Sequence, residues 1–136
     1  MGNVLDLKTL IVALPDTASD WQGDDKVANI FKAPSAALGG AIKIVRAYAT
    51  NQAATTSGTG FSLTLLNYGT AGTAVAGTVS SELGGTGDPW AAGTPKAFTI
   101  SDGDLDADEW LVLRKDETNS SDPSRCMVVI QYLHGK

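Results

Sequence analysis

Phe61, Leu63 and Leu65 alternate with Ser62 and Thr64, and this period of two recurs along the chain between clusters of Gly, Pro, Asn and Ser. No window of a dozen residues shows a comparable 3.6-residue repeat. Successive side chains on a β-strand point to opposite faces, so the pattern predicts half-buried strands and an all-β fold. The expected strands are 8–14, 27–33, 41–50, 60–68, 74–80, 95–101, 109–115 and 125–134. In the third, Ile42 and Ile44 share one face while Val45, Ala47 and Ala49 fall on the other, which places a β-bulge near Ile44 and Val45. About eight strands joined by loops of several residues fit an antiparallel, jelly-roll-like β-sandwich better than a barrel of tight hairpins.

At 136 residues the chain is one domain by length, able to bury about two-thirds of its unfolded surface without disulfides or a structural metal. We expect residues 8–136 to form the sandwich and residues 1–7 an N-terminal arm, whose apolar Val4, Leu5 and Leu7 are candidate interface residues. The apolar run 10–14 is too short for a membrane span or a secretory core. A net charge of -5 opposes direct binding to nucleic acid or to a membrane surface, both of which favour a basic face.

Between Arg46 and Lys96 only Glu82 and Asp88 are charged among 49 residues, where an ordinary stretch of that length holds about a dozen. Small neutral side chains lose little entropy on ordering and cost little to desolvate. The composition therefore suits a subunit packed against neighbours in a homo-oligomer, a dimer or a trimer.

The residues that carry most chemistry are sparse. His134 is the single histidine and stands at the end of a strand, so triads and multi-histidine metal sites lack their imidazoles. The Gly84-Gly85-Thr86-Gly87 run is followed by Asp88-Pro89-Trp90, with neither the Lys nor the helix start of a phosphate loop. Cys126 is the only cysteine and lies in an apolar run, as a buried small hydrophobe does. No catalytic residue and no cofactor is expected. Asp102, Asp104, Asp106 and Asp108 alternate as oxygen ligands of a calcium loop would. Against an EF-hand, Ala107 occupies the glycine position and Leu113 the final glutamate position. A solvated turn is the alternative. Trp21 and Trp90 fall in loops, where a tryptophan either folds back as a plug or is presented to a partner, whereas Trp110 is expected in the core.

The short N-terminal segment 3–14, the tract 31–40 (Phe-Lys-Ala-Pro-Ser-Ala-Ala-Leu-Gly-Gly), the small-residue middle and the closing strands 109–133 together resemble small structural proteins of tailed-bacteriophage virions. Among these the chain looks most like capsid decoration, or cement, proteins. The resemblance implies a non-enzymatic protein on the capsid exterior, made in the host cytoplasm. Its partner would be the major capsid protein of the same virion, whose neighbouring subunits it would staple. The alternatives are a tail or head-fibre subunit, or a carbohydrate-binding module with exposed tryptophans as its sugar platform.

Overall fold

The structure is a computed structural model that describes residues 7–14, 26–55, 60–85, 87–118 and 125–135. Ten strands lie among them: β1 (Leu7–Ala13), β2 (Lys26–Lys32), β3 (Ile42–Thr50), β4 (Gly60–Asn67), β5 (Gly77–Thr78), β6 (Leu83–Gly84), β7 (Lys96–Ala97), β8 (Asp104–Leu105), β9 (Trp110–Thr118) and β10 (Met127–His134). All described pairings are antiparallel.

The topology is that of one long hairpin wound on itself. Its arms pair β1 with β10, β2 with β9, β3 with β7 and β8, and β4 with β5 and β6. Winding adds the contacts β10 to β3 and β9 to β4. Two sheets result: sheet A in the order β1-β10-β3-β7, with β8 also on β3, and sheet B in the order β2-β9-β4-β5, with β6 also on β4. This strand order makes the sandwich a jelly roll.

The core lies between the sheets. From sheet B it takes Phe61, Leu63, Leu65, Leu111 and Leu113, and from sheet A Ile42, Ile44, Ala47, Ala49, Val128 and Ile130. Each large side chain so buried contributes roughly 1.5–3 kcal/mol. Strand β3 keeps two incompatible phases inward because of a bulge. Gln131 faces Arg46 and Tyr132 faces Ile44, so Val45 is the extra residue and turns to solvent. The bulge read from the alternation is therefore present, and the long strands fall within two or three residues of their predicted ends.

Three expectations need correction. Leu7 is not the end of an arm: it opens β1 and pairs with Leu133. The connection between the expected strands 74–80 and 95–101 and the acidic turn each contribute a two-residue strand, β6 and β8, while those two expected strands shrink to the two-residue β5 and β7. Trp110 is not in the shared core. On β9 the core face belongs to Leu111 and Leu113, so Trp110 takes the opposite face, half-buried, with the Lys32 ammonium 5.9 Å from its ring centroid.

Candidate protein interface

The outer face of sheet A carries an aligned set of exposed apolar side chains. Alternation within β1 turns Leu10 and Val12 onto the core and leaves Leu7, Thr9, Ile11 and Ala13 facing out. On β10 the outward set is Met127, Val129, Gln131 and Leu133, in register with those of β1: Leu7 opposite Leu133, Ile11 opposite Val129, Ala13 opposite Met127. Beyond β10, Tyr48 faces Val129 and the bulged Val45 stands outward. Ile11 is 60% exposed, Leu7 47%, and Val45 and Met127 41% each. Arg46, Tyr48, Pro95 and Ala97 continue this face as a shallow hollow of about 330 Å³. Scattered exposed apolar residues are normal, but aligned rows across neighbouring strands make a patch of the kind that marks interaction sites.

Leu7 is thus the sequence-predicted interface residue that the structure places on this face. Val4, Leu5 and Trp21 lie outside the described residues. Trp90 belongs to neither group. It is 1% exposed and stacks on Phe61 at 5.6 Å between centroids. Its indole N–H donates to the Thr94 carbonyl at 2.9 Å, and its backbone N–H donates to the Thr55 hydroxyl at 2.9 Å. Lys96 covers the ring at 5.8 Å and pairs with Asp88. Gly84, beside this plug, lets β6 approach β4 closely: at φ 86 a Cβ there would stand 2.8 Å from the Phe61 carbonyl oxygen. Trp90 therefore closes the core and cannot serve as an interface anchor or a sugar platform. Sequence alone could not choose between plug and platform, because the choice depends on Phe61, 29 residues away.

The acidic segment is held apart rather than gathered. Leu105 is fully buried and pins β8 against β3, with the Ile44 N–H donating to the Gly103 carbonyl at 2.8 Å. Around that anchor the carboxylates diverge. Asp104 approaches Lys43 at 3.9 Å and Asp108 pairs with Lys32 at 3.1 Å. Glu109 accepts from the Asn67 amide and from the Asp106 N–H, each at 2.8 Å. Asp102 accepts from the Asp104 N–H at 3.2 Å. Asp102, Asp104, Asp106 and Asp108 do not converge on a common point, and no metal-holding cluster occurs among the described residues. Strand alternation would put residues two apart on one face, but the segment is extended as a strand only at Asp104–Leu105 and turns on either side, so the carboxylates reach different neighbours and the ligand spacing seen in sequence is lost.

Cys126 is fully buried beside the core, and desolvation pushes its thiol up to about 12. A nucleophilic thiol needs the opposite shift. His134 is exposed at the end of β10 with its ring over Gly39, whose positive φ and missing Cβ leave space for the imidazole. Among the described residues no helix is long and apolar enough to cross a membrane.

Comparison with known proteins yields no matching family model, no matching curated protein and no matching solved structure.

Proposed function

We propose that this chain is a non-enzymatic structural subunit that decorates the outside of a tailed-bacteriophage head and staples neighbouring capsid subunits. The observation that carries the binding part of this reading is the outer face of sheet A, where Leu7, Ile11, Val45 and Met127 are aligned in solvent. Burying such a face releases about 25 cal/mol per Å² of apolar surface. The jelly-roll strand order supports the virion part by analogy alone, since that fold is shared by viral capsid domains and by unrelated proteins.

The mechanism is mass action. A subunit that binds the assembled lattice and not its free components stabilises that lattice by RT ln(1 + [L]/Kd) at each site. The test is cosedimentation of the purified chain with phage heads stripped of decoration, followed by heating. Retention on heads and a raised disassembly temperature are the expected results. A chain that stays in the supernatant with every head preparation overturns the reading. In the same assay, removal of residues 1–6 is expected to weaken retention while leaving thermal unfolding of the free chain unchanged, because β1 begins at Leu7.

A further inference from the structure

The Leu14 N–H donates to the Cys126 carbonyl at 2.9 Å, in the same register that sets Leu10 against Ile130. In an antiparallel ladder hydrogen-bonded pairs alternate with non-bonded ones. Lys8, Leu10 and Val12 therefore turn their backbone groups toward β10, while Leu7, Thr9, Ile11 and Ala13 turn theirs away from the sheet. No described strand pairs with that side of β1. A regular row of outward N–H and C=O groups in extended conformation is satisfied in full only by another extended strand.

Of the usual protections of such an edge β1 carries one, a single lysine, Lys8. Its seven residues, Leu-Lys-Thr-Leu-Ile-Val-Ala, include no Pro, no Gly and no register shift, and one charge. β2, the long edge of sheet B, has the same length but bears Lys26 and Lys32 at its ends, Asn29 within, and a register shift between Asn29 and Phe31. The far side of sheet A ends in β7 and β8, two residues each, too short to template a partner.

We propose that the free edge of β1 pairs antiparallel with β1 of a second copy of this chain, about a two-fold axis through Leu10. A second copy is favoured because the exposed apolar rows of the two outer faces, with Leu7, Ile11 and Met127, then become continuous across the contact, in a register that overlaps all seven residues. It sets Thr9 against the other Ile11 and Leu7 against the other Ala13, so every outward-turned backbone group meets its counterpart in a hydrogen-bonded pair. The same register sets Leu10 against Leu10 as the central non-bonded pair. The two Lys8 ammonium groups then stand about 14 Å apart, four residues along a strand, beyond the Debye length of about 8 Å at physiological salt. The two sheets A join into one continuous sheet, and their apolar outer faces merge. Because the contact is isologous and uses the one long edge that sheet A presents among the described residues, association closes at two copies. The proposal rests on the reading of this chain as an assembly subunit only in taking a second copy as the occupant; the capsid itself is not required.

The test is sedimentation equilibrium of the full chain from micromolar to sub-millimolar concentration, for wild type, Thr9→Val and Thr9→Pro. Proline at position 9 removes an outward N–H and leaves the ladder to β10 intact, a tolerated place for proline on an edge strand. Wild type and Thr9→Val are expected to be dimers. Thr9→Pro is expected to raise the dissociation constant about a hundredfold, a factor of about ten for each of the two N–H groups lost per dimer, with an unchanged thermal midpoint of the monomer. Leu10→Cys gives a second readout that does not depend on how proline is tolerated. A central non-bonded pair holds its Cα atoms about 4.5 Å apart, within disulfide reach, so this variant is expected to cross-link to a dimer on mild oxidation. A wild-type monomer throughout, including one whose edge is covered by its own residues 1–6, overturns the proposal. So does a dimer that Thr9→Pro leaves intact together with a Leu10→Cys chain that stays monomeric on oxidation. Failure to bind heads by a chain that dimerises through β1 sinks the capsid reading alone.

Discussion

On sheet B, Leu66 and Val112 face away from the shared core and are nonetheless buried, along with Ser62 and Thr64. Trp110 on the same face is held beneath the turn at Gly72, where a Cβ would stand 2.7 Å from the indole. That turn is tied down by the Trp110 N–H donating to the Gly69 carbonyl at 3.0 Å and the Tyr68 N–H donating to the Trp110 carbonyl at 2.9 Å. On sheet A the corresponding face carries Leu7, Ile11, Val45 and Met127 in solvent. The two outer faces have therefore met different ends. Sheet B buries apolar residues on both of its faces within this chain, whereas the outer face of sheet A buries Val129 and leaves its other large aliphatic residues partly or largely in solvent. The edges follow suit, with β2 blunted by lysines and a register shift and β1 left regular. An apolar surface that the chain itself covers contributes to folding, and one left bare is available to association.

The core common to both sheets sets the scale for testing this contrast. Trp90→Ala is expected to destabilise the chain by about 3–5 kcal/mol, seen as a lower denaturant midpoint, because it empties the contact with Phe61 and frees the Thr55 and Thr94 anchors. A glycan-binding signal lost in a variant of unchanged stability would instead return Trp90 to the surface. On the covered face of sheet B, Leu66→Ala is expected to cost about 2–4 kcal/mol in the same assay. A cost below about 0.5 kcal/mol would show that this face is no better covered than that of sheet A.

A smaller effect of opposite sign is expected at Thr64, whose hydroxyl is buried on that face with no hydrogen-bond partner. Thr64→Val keeps the shape and removes the stranded polar group, so a gain of up to about 1 kcal/mol is expected. A loss would mean that the hydroxyl is satisfied after all. Ile11→Ala, on the bare face of sheet A, is expected to change monomer stability by no more than about 0.5 kcal/mol, as measured by thermal unfolding under dilute conditions.

Met127 and Cys126 give the finest test, since adjacent residues near the start of β10 meet opposite environments. Peroxide is expected to add one oxygen to Met127 and none to Cys126, read by peptide mass spectrometry. Iodoacetamide is expected to label Cys126 only after unfolding. The sign is fixed by burial: the folded thiol is pushed up to about 12 from 9.0, so the protonated form is favoured and the thiolate is withheld at neutral pH. The associated stabilisation is present below about pH 9 and is lost as pH rises toward 12. Rapid native labelling at pH 8 would place Cys126 outside the core.

Much of this architecture was legible in the residues. Strict alternation placed β1, β4 and β10, and the change of phase at Ile44 and Val45 located the bulge, because side-chain direction in a strand is a local property with a period of two. The buried state of Cys126 followed from its apolar neighbours for the same reason. Strands β6 and β8 were not legible, since two residues cannot display a period and their pairing is imposed by Phe61 to Leu63 and Ile42 to Lys43. The divergence of Asp102, Asp104, Asp106 and Asp108 was likewise decided by Lys32 and Lys43 from other strands.

What the sequence determined by itself is that this chain builds strands with apolar side chains on both faces, β9 with Leu111 and Leu113 on one and Trp110 and Val112 on the other. Which face becomes the core, which is roofed by the chain's own turn and which stays bare was decided only when the hairpin wound into two sheets. Alternation states that two residues lie on opposite sides of a strand, and the identity of what covers each side is a long-range fact set by residues tens of positions away.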